Sequence, residues 1–209
     1  MRIVISAFMS LDGVVQAPGG PDEDTDGGFE HGGWSMPYFD PEAMGPMLEE
    51  GMATTDALLF GRRTWRVMAD AWPGRAGDPF ADQMNAIPKY VVSRTLTDAD
   101  IDWSNTTLLG GDDALDQVAA LRATEGGDLQ VMGSSSLARQ LVSAGLFDEL
   151  RLMIEPVILG GGKRLFADDG TARPLELITS STTSTGVQLC VLRPTGGELA
   201  TGSSDELYA

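Results

Sequence analysis

The chain predicts a layered α/β domain whose central sheet is mostly parallel and closes in an antiparallel edge. Three observations carry this. Apolar runs rich in Ile, Val and Leu read as buried strands. Stretches of helical spacing alternate with them along the chain, as in α/β domains. Two late strand-like runs, Leu175 to Ser181 and Val187 to Arg193, are close enough to form a hairpin, which supplies the antiparallel edge. Residues 1–194 read as one domain and 195–209 as a polar, flexible tail.

In chain order, Arg2 to Met9 is the first strand, followed by a long loop, Asp12 to Gly33, dense in Gly, Pro and Asp. Pro41 to Met52 reads as a helix with proline in its first turn. Asp56 to Phe60 is a strand, a helix begins over Arg63 to Met68, and Pro79 to Ala86 is a further short helix. Lys89 to Ser93 and Thr106 to Leu109 are strands. Ala114 to Ala123 has helical spacing at Leu115, Val118, Ala119 and Leu121. Leu129 to Met132 is a strand and Leu137 to Ala144 a helix. Leu150 to Leu159 is strand-like, with Pro156 interrupting its ladder because proline has no N–H to donate.

Composition excludes several classes of function. With 14 Lys and Arg against 31 Asp and Glu, the net charge of −17 disfavours nucleic acid and anionic membrane as partners, both being polyanions. A small anion in a local basic pocket remains compatible, since exposed charges beyond about 8 Å are largely screened at physiological salt. Cys190 is the sole cysteine and His31 the sole histidine, so a Cys/His zinc site, a Cys-His nucleophile pair and an intramolecular disulfide are unsupported, and no metal is expected. No apolar span is long enough to cross a bilayer and no secretory leader opens the sequence, so the expected location is cytoplasmic.

Three strand ends run through glycine into a helix, the geometry in which unpaired N–H groups and the helix dipole face an anion. In LLGGDD, Asp112 and Asp113 would repel phosphate, and Asp112 reads as an N-cap. In VMGSSSLARQL, Gly133, Ser134, Ser135 and Ser136 can donate with nothing acidic in the way; the plainer alternative is a serine-capped helix after a tight turn. In LLFGRRTW, Gly61, Arg62, Arg63 and Thr64 offer cations at a strand end, the alternative being a capped helix with surface arginines. Ser93 and Arg94 follow the Lys89 strand, and arginine there can bond phosphate oxygens in bidentate fashion. Loops at the carboxyl ends of strands can converge on one ligand, and a dinucleotide with a 2′-phosphate has several anionic groups to satisfy. The G-x-G-x-x-G fingerprint is missing after the first strand.

SLDG after the first strand, LLFGRRTW, KYVVSR, VMGSSSLARQLVSAGLFDELRL and EPVILGGGKRLF occur in an order that resembles the dihydrofolate reductase superfamily. More particularly, they resemble the reductase domain of riboflavin biosynthesis and its stand-alone bacterial relatives. The resemblance implies a dihydrofolate reductase-like three-layer fold, with helices on both faces of a mixed sheet, and NADPH as hydride donor. It places Gly61, Arg62, Arg63 and Thr64 at the phosphates, Ser93 and Arg94 near the 2′-phosphate, and Gly133, Ser134, Ser135, Ser136 and Leu137 around the pyrophosphate. It implies a small-molecule substrate, a flat heterocycle of pterin, pyrimidine or flavin type, and a homodimer as a frequent state of such relatives. The region FDPEAMGPMLEEGM offers no single carboxylate to match the pteridine-binding acid of the folate enzymes, which argues against folate.

On the substrate side, Asp12 of SLDG is the candidate catalytic proton relay or substrate contact, its alternative being a turn-forming Asp before Gly13. Trp34, Tyr38 and Phe39 are candidates to stack on a flat ring, or else form a small loop core. Pro156 is placed with the substrate too. His31 has the pKa range of a neutral-pH switch but reads as a solvated loop residue. DEDTDG imitates the start of a calcium loop, yet Gly33 stands where its bidentate glutamate belongs. GGGK at residues 160–163 imitates a P-loop but lacks the following Ser or Thr, and reads instead as a turn beside the cofactor.

Overall fold

The protein is described by a computed structural model, covering residues 1–75 and 77–203. The end of the predicted tail, 204–209, lies outside the described residues. In chain order the elements are β1 (Arg2–Ser10), α1 (Pro41–Ala53), β2 (Thr55–Gly61), α2 (Arg62–Ala71), α3 (Pro79–Ala86), β3 (Lys89–Val92), β4 (Thr106–Leu109), α4 (Ala114–Arg122), β5 (Asp128–Val131), α5 (Ser135–Ser143), β6 (Glu149–Glu155), β7 (Leu175–Thr182) and β8 (Gln188–Pro194).

The strands form one sheet in the order β4-β3-β2-β5-β1-β6-β8-β7. All neighbours from β4 to β6 are parallel, while β8 runs antiparallel to β6 and β7 antiparallel to β8. Both faces of the central strands are covered, which is why they read as unbroken apolar runs. Along β2, Ala57 and Leu59 pack into one core with Val131, Leu137 and Leu141, while Leu58 and Phe60 pack into another with Trp65, Met84 and Trp103. The alternation is the strand's period of two, seen from inside a three-layer sandwich.

The helices follow from their own apolar stripes. In α2, Trp65, Met68, Ala69 and the flanking Trp72 fall at helical spacing and face the second core, leaving Arg62 and Arg66 outward. In α5, Leu137, Ala138, Leu141 and Val142 are buried. Two expectations need correction here. Strand β6 ends at Glu155 rather than running to Leu159, since Pro156 cannot extend the ladder. The N-cap of α4 is Asp113, not Asp112, and even Asp113 makes no side-chain cap bond; its carboxylate accepts from Gln117 Nε2 at 3.1 Å instead.

The topology creates a rim. After β2 the chain moves outward to β3, whereas after β5 it crosses β1 to reach β6, so the β2 and β5 crossovers leave in opposite directions. The carboxyl ends of β2 and β5 are thus a switch point, where open α/β sheets leave a crevice.

Candidate functional site

At this switch point the Gly61 and Gly133 loops are pressed together. The Gly61 N–H donates to the Gly133 carbonyl at 3.1 Å. A Cβ on Gly61 would collide with Ser134 Oγ, and one on Gly133 would stand 2.9 Å from Thr64 Oγ1. Gly133 also has φ +120°, a conformation that L side chains rarely adopt. The peptide joining Gly133 and Ser134 is cis. Both glycines are therefore fixed by the close approach of the two loops, through the Ser134 and Thr64 side chains.

The helices that begin here differ from others in the molecule. Helix α1 is capped by Asp40, which accepts from the Ala43 N–H, and α3 by Asp78, which accepts from Phe80 and Ala81. The N-caps of α2 and α5 are Gly61 and Ser134, neither of which makes a side-chain cap bond, and neither first turn contains an acid. Ser134 Oγ pairs with Ser136 Oγ at 3.1 Å instead. Two positive dipole ends are left without a carboxylate of their own.

An outer cleft opens over these turns. Its walls include Gly61, Arg62 and Arg63, then Ser93 and Arg94, then Ser134 through Leu137. The three loops singled out from sequence thus share one cavity, together with Lys163 of the GGGK turn. Arg62 and Arg94 are exposed, and among the described residues neither has an ion-pair partner. Ser93 is more committed: its Oγ accepts from the N–H groups of Thr95 and Leu96 at 3.1 and 3.0 Å, shaping the turn that presents Arg94.

Arg63 departs from expectation. It bonds both Asp24 and Asp26 of the long loop, and Lys163 Nζ meets the same two acids at 2.6 and 2.9 Å. Arg63, followed by Lys163, holds the Asp26 carboxyl well below the usual range. This four-charge clasp is what the calcium-like DEDTDG actually builds: its Asp24 and Asp26 bind protein cations. Among the described residues, no group of His, Cys, Asp and Glu could hold a metal.

Inward of the clasp lies a second, largely apolar pocket, walled by Phe8, Leu48, Val67, Met68, Met132 and Met153. Thr64 and Gly133 line it, and Asp24, Arg63, Ser134 and Ser135 belong to both cavities. Its polar groups include Ser6 and Glu23. Ser6 Oγ accepts from Gln130 Nε2 at 2.6 Å, which leaves its own proton available to a ligand.

The proposed substrate-side residues fare differently. Asp12 lines neither cavity. Partial desolvation would raise its pKa, but bonds from Ser10 Oγ, the Leu159 and Gly160 N–H groups and Arg164 outweigh that and hold it at about 2. A carboxyl ionised so completely has no proton to deliver at neutral pH, so the proton-relay reading is corrected: Asp12 staples the first turn to the glycine-rich turn. Trp34 is 8% exposed, its Nε1 donating to the Gln16 carbonyl at 2.8 Å within a satellite core of Val14, Ala17 and Phe29, so no ring can stack on it. Tyr38 packs beside Met44 and Val187, and Phe39 tilts against Phe8 at 6.4 Å between ring centres. Neither they nor the exposed Pro156 line the clefts. His31 is exposed and makes an edge contact with Phe29.

With this geometry in place, the chain can be compared with known proteins. The model of the RibD C-terminal domain family matches residues 2–189. The chain belongs to that family. The uncharacterized protein YyaP of Bacillus subtilis (strain 168) is 29% identical over 191 residues, covering 89% of this chain and 91% of that protein. A putative riboflavin biosynthesis protein from Shewanella sp. PV-4 superposes with a TM-score of 0.70 at 20% identity, over 93% of this chain and 99% of the other. Dihydrofolate reductase from Enterococcus faecalis, solved with NADP(H), gives a TM-score of 0.57 at 13% identity, over 93% and 96%. The fold is thus the dihydrofolate reductase-like fold that the resemblance implies.

Proposed function

We propose that the protein is an NADPH-dependent reductase that transfers hydride to a small, flat, nitrogen-containing heterocycle of pterin, pyrimidine or flavin type. The observation that carries this reading is the single cleft in which unpartnered Arg62 and Arg94 meet two helix starts free of acid, continuing into an apolar pocket. The residues fit the cofactor. Ser134 to Leu137 and the first turn of α2 would hold the pyrophosphate through backbone N–H groups. Arg62 and Arg94 would answer the 2′-phosphate. NADPH would supply the hydride, while the chain supplies orientation and exclusion of water, which together can lower the barrier by about 7–11 kcal/mol. Ser6 would donate to a substrate acceptor atom within the inner pocket.

The test is to titrate NADPH and NADH while following tryptophan fluorescence and thermal shift. NADPH consumption is then screened against dihydrofolate, the pyrimidine intermediate of riboflavin biosynthesis and oxidised flavins. Preference for NADPH with turnover of one acceptor supports the proposal; no nucleotide binding refutes it. Asp12 lying outside both cavities, away from any ring bound in them, favours a second reading, a nucleotide-binding module of the same fold with little or no catalysis. Tight NADPH binding with no turnover would select it.

A further inference from the structure

Hydride arriving at a C=N or C=O carbon leaves a nitrogen or oxygen in need of a proton, and Asp12 cannot give one. The inner pocket contains two carboxyl groups, Asp24 and Glu23. Asp24 is consumed by Arg63, Lys163 and Gln16. Glu23 is different. It is half-buried in the pocket wall, its Oε2 accepts from the Gly19 N–H at 2.7 Å, and it has no cationic partner among the described residues.

We propose that Glu23 is the catalytic acid of this site, giving its carboxyl proton to the substrate heteroatom as the neighbouring carbon is reduced. The inference rests on the reductase reading above. As hydride forms the new C–H bond, the π pair of C=N or C=O moves onto nitrogen or oxygen. That atom then takes the proton as the Glu23 O–H bond breaks. The substrate is reduced by two electrons, the nicotinamide is oxidised, and the carboxylate recovers its proton from water.

The surroundings suit the task. Burial pushes the Glu23 carboxyl above the usual glutamate range; the Gly19 and Gly20 N–H groups oppose that, and the adjacent Asp24 adds to it. The other charge in the pocket wall, Arg63 of α2, is neutralised by Asp24 and Asp26. From β1, α1, α5 and β6 the wall presents Phe8, Leu48, Ala138 and Met153, none charged. A carboxyl whose burial favours its protonated form, set in the wall of a largely apolar pocket, is the arrangement general acids require.

Two measurements decide the matter. Carboxyl NMR of protein labelled with ¹³C-glutamate, compared with Glu23→Gln, should show, besides that of Glu155, a resonance titrating above the ordinary range and missing from the variant. With the acceptor found by the screen, Glu23→Gln should lower kcat by about 10²–10⁴-fold, erase the fall of kcat at high pH and leave NADPH affinity unchanged. Glu23→Asp should restore part of the rate. A purely structural Glu23 would move thermal stability but not the pH profile. An ordinary titration, or an unaltered profile in Glu23→Gln, overturns this proposal while NADPH binding stands. Failure of the wild-type protein to bind NADPH overturns the reading beneath it.

Discussion

The two rims of the sheet use the same residue types to opposite ends. At the amino-terminal rim, Arg2 bonds Asp128 at 2.9 Å, while Arg151 and Arg193 both hold Glu149, at 2.7 and 2.9 Å. Asp128 and Glu149 are buried there, and each guanidinium has its carboxylate. At the carboxyl-terminal rim, Arg62 and Arg94 have none among the described residues, and two helix starts lack the aspartates that cap α1 and α3. Paired charges seal one end and hold β1, β5, β6 and β8 in register. Unpaired charges keep the other end receptive. An arginine's role here is set by what it meets, not by its sequence neighbours.

The strongest way to break the contrast is at the sealed end. Glu149→Ala leaves Arg151 and Arg193 without their shared carboxylate, and removing one member of a buried pair costs about 3–5 kcal/mol. Urea denaturation should show that loss, with NADPH affinity of the folded fraction unchanged. Next comes Glu155, a buried acid at the open end of β6, which accepts from Met9 N–H at 3.1 Å and Ser35 Oγ at 2.7 Å and has no ion-pair partner among the described residues. Burial lifts its carboxyl from 4.5 to about 7. The folded state therefore binds this proton more tightly than the unfolded one. Its stabilisation is complete below the unfolded pKa of 4.5 and is lost as pH rises through about 7. A shift of that size is worth at most about 3 kcal/mol. Denaturation curves across this window should show wild-type stability falling, and Glu155→Gln should flatten the fall.

At the receptive end, Arg62→Ala or Arg94→Ala should leave stability within about 0.5 kcal/mol of wild type. Each should weaken NADPH by roughly 10–100-fold, the scale of one charge-assisted bond, and NADH by less, as read by fluorescence titration. Equal losses for both nucleotides would show the 2′-phosphate to lie elsewhere. The smallest effect is expected at the clasp, where Asp26 is exposed. Asp26→Asn should barely move the melting temperature while modestly strengthening NADPH, because one competitor for Arg63 is gone.

Much of this was legible before folding. Strand and helix limits fell within a few residues of those observed, β6 excepted, because apolar runs and turn glycines report local geometry directly. The three cleft loops were legible for the same reason: each is a strand-glycine-helix junction. What the sequence hid was pairing. Lys163 meets Asp24 across 139 residues, and Asp12 meets the Leu159 N–H across 147, separations over which no pattern announces a partner. Hence Arg63 read as free and Asp12 as available. Trp34 was open between two readings because a loop that makes its own small core looks, in one dimension, like a loop that offers rings to a ligand; the structure places it in such a core. Glu23 carried no signal beyond its place in an acidic run; only the pocket around it sets it apart.

The clasp of Asp24, Asp26, Arg63 and Lys163 straddles the waist between the two cavities. A molecule long enough to fill both would lie against that buckle, since Asp24 and Arg63 line each cavity. Raising ionic strength should then loosen the clasp and weaken the hold of Arg62 and Arg94 on an anion together, so exchange rate and occupancy change in step.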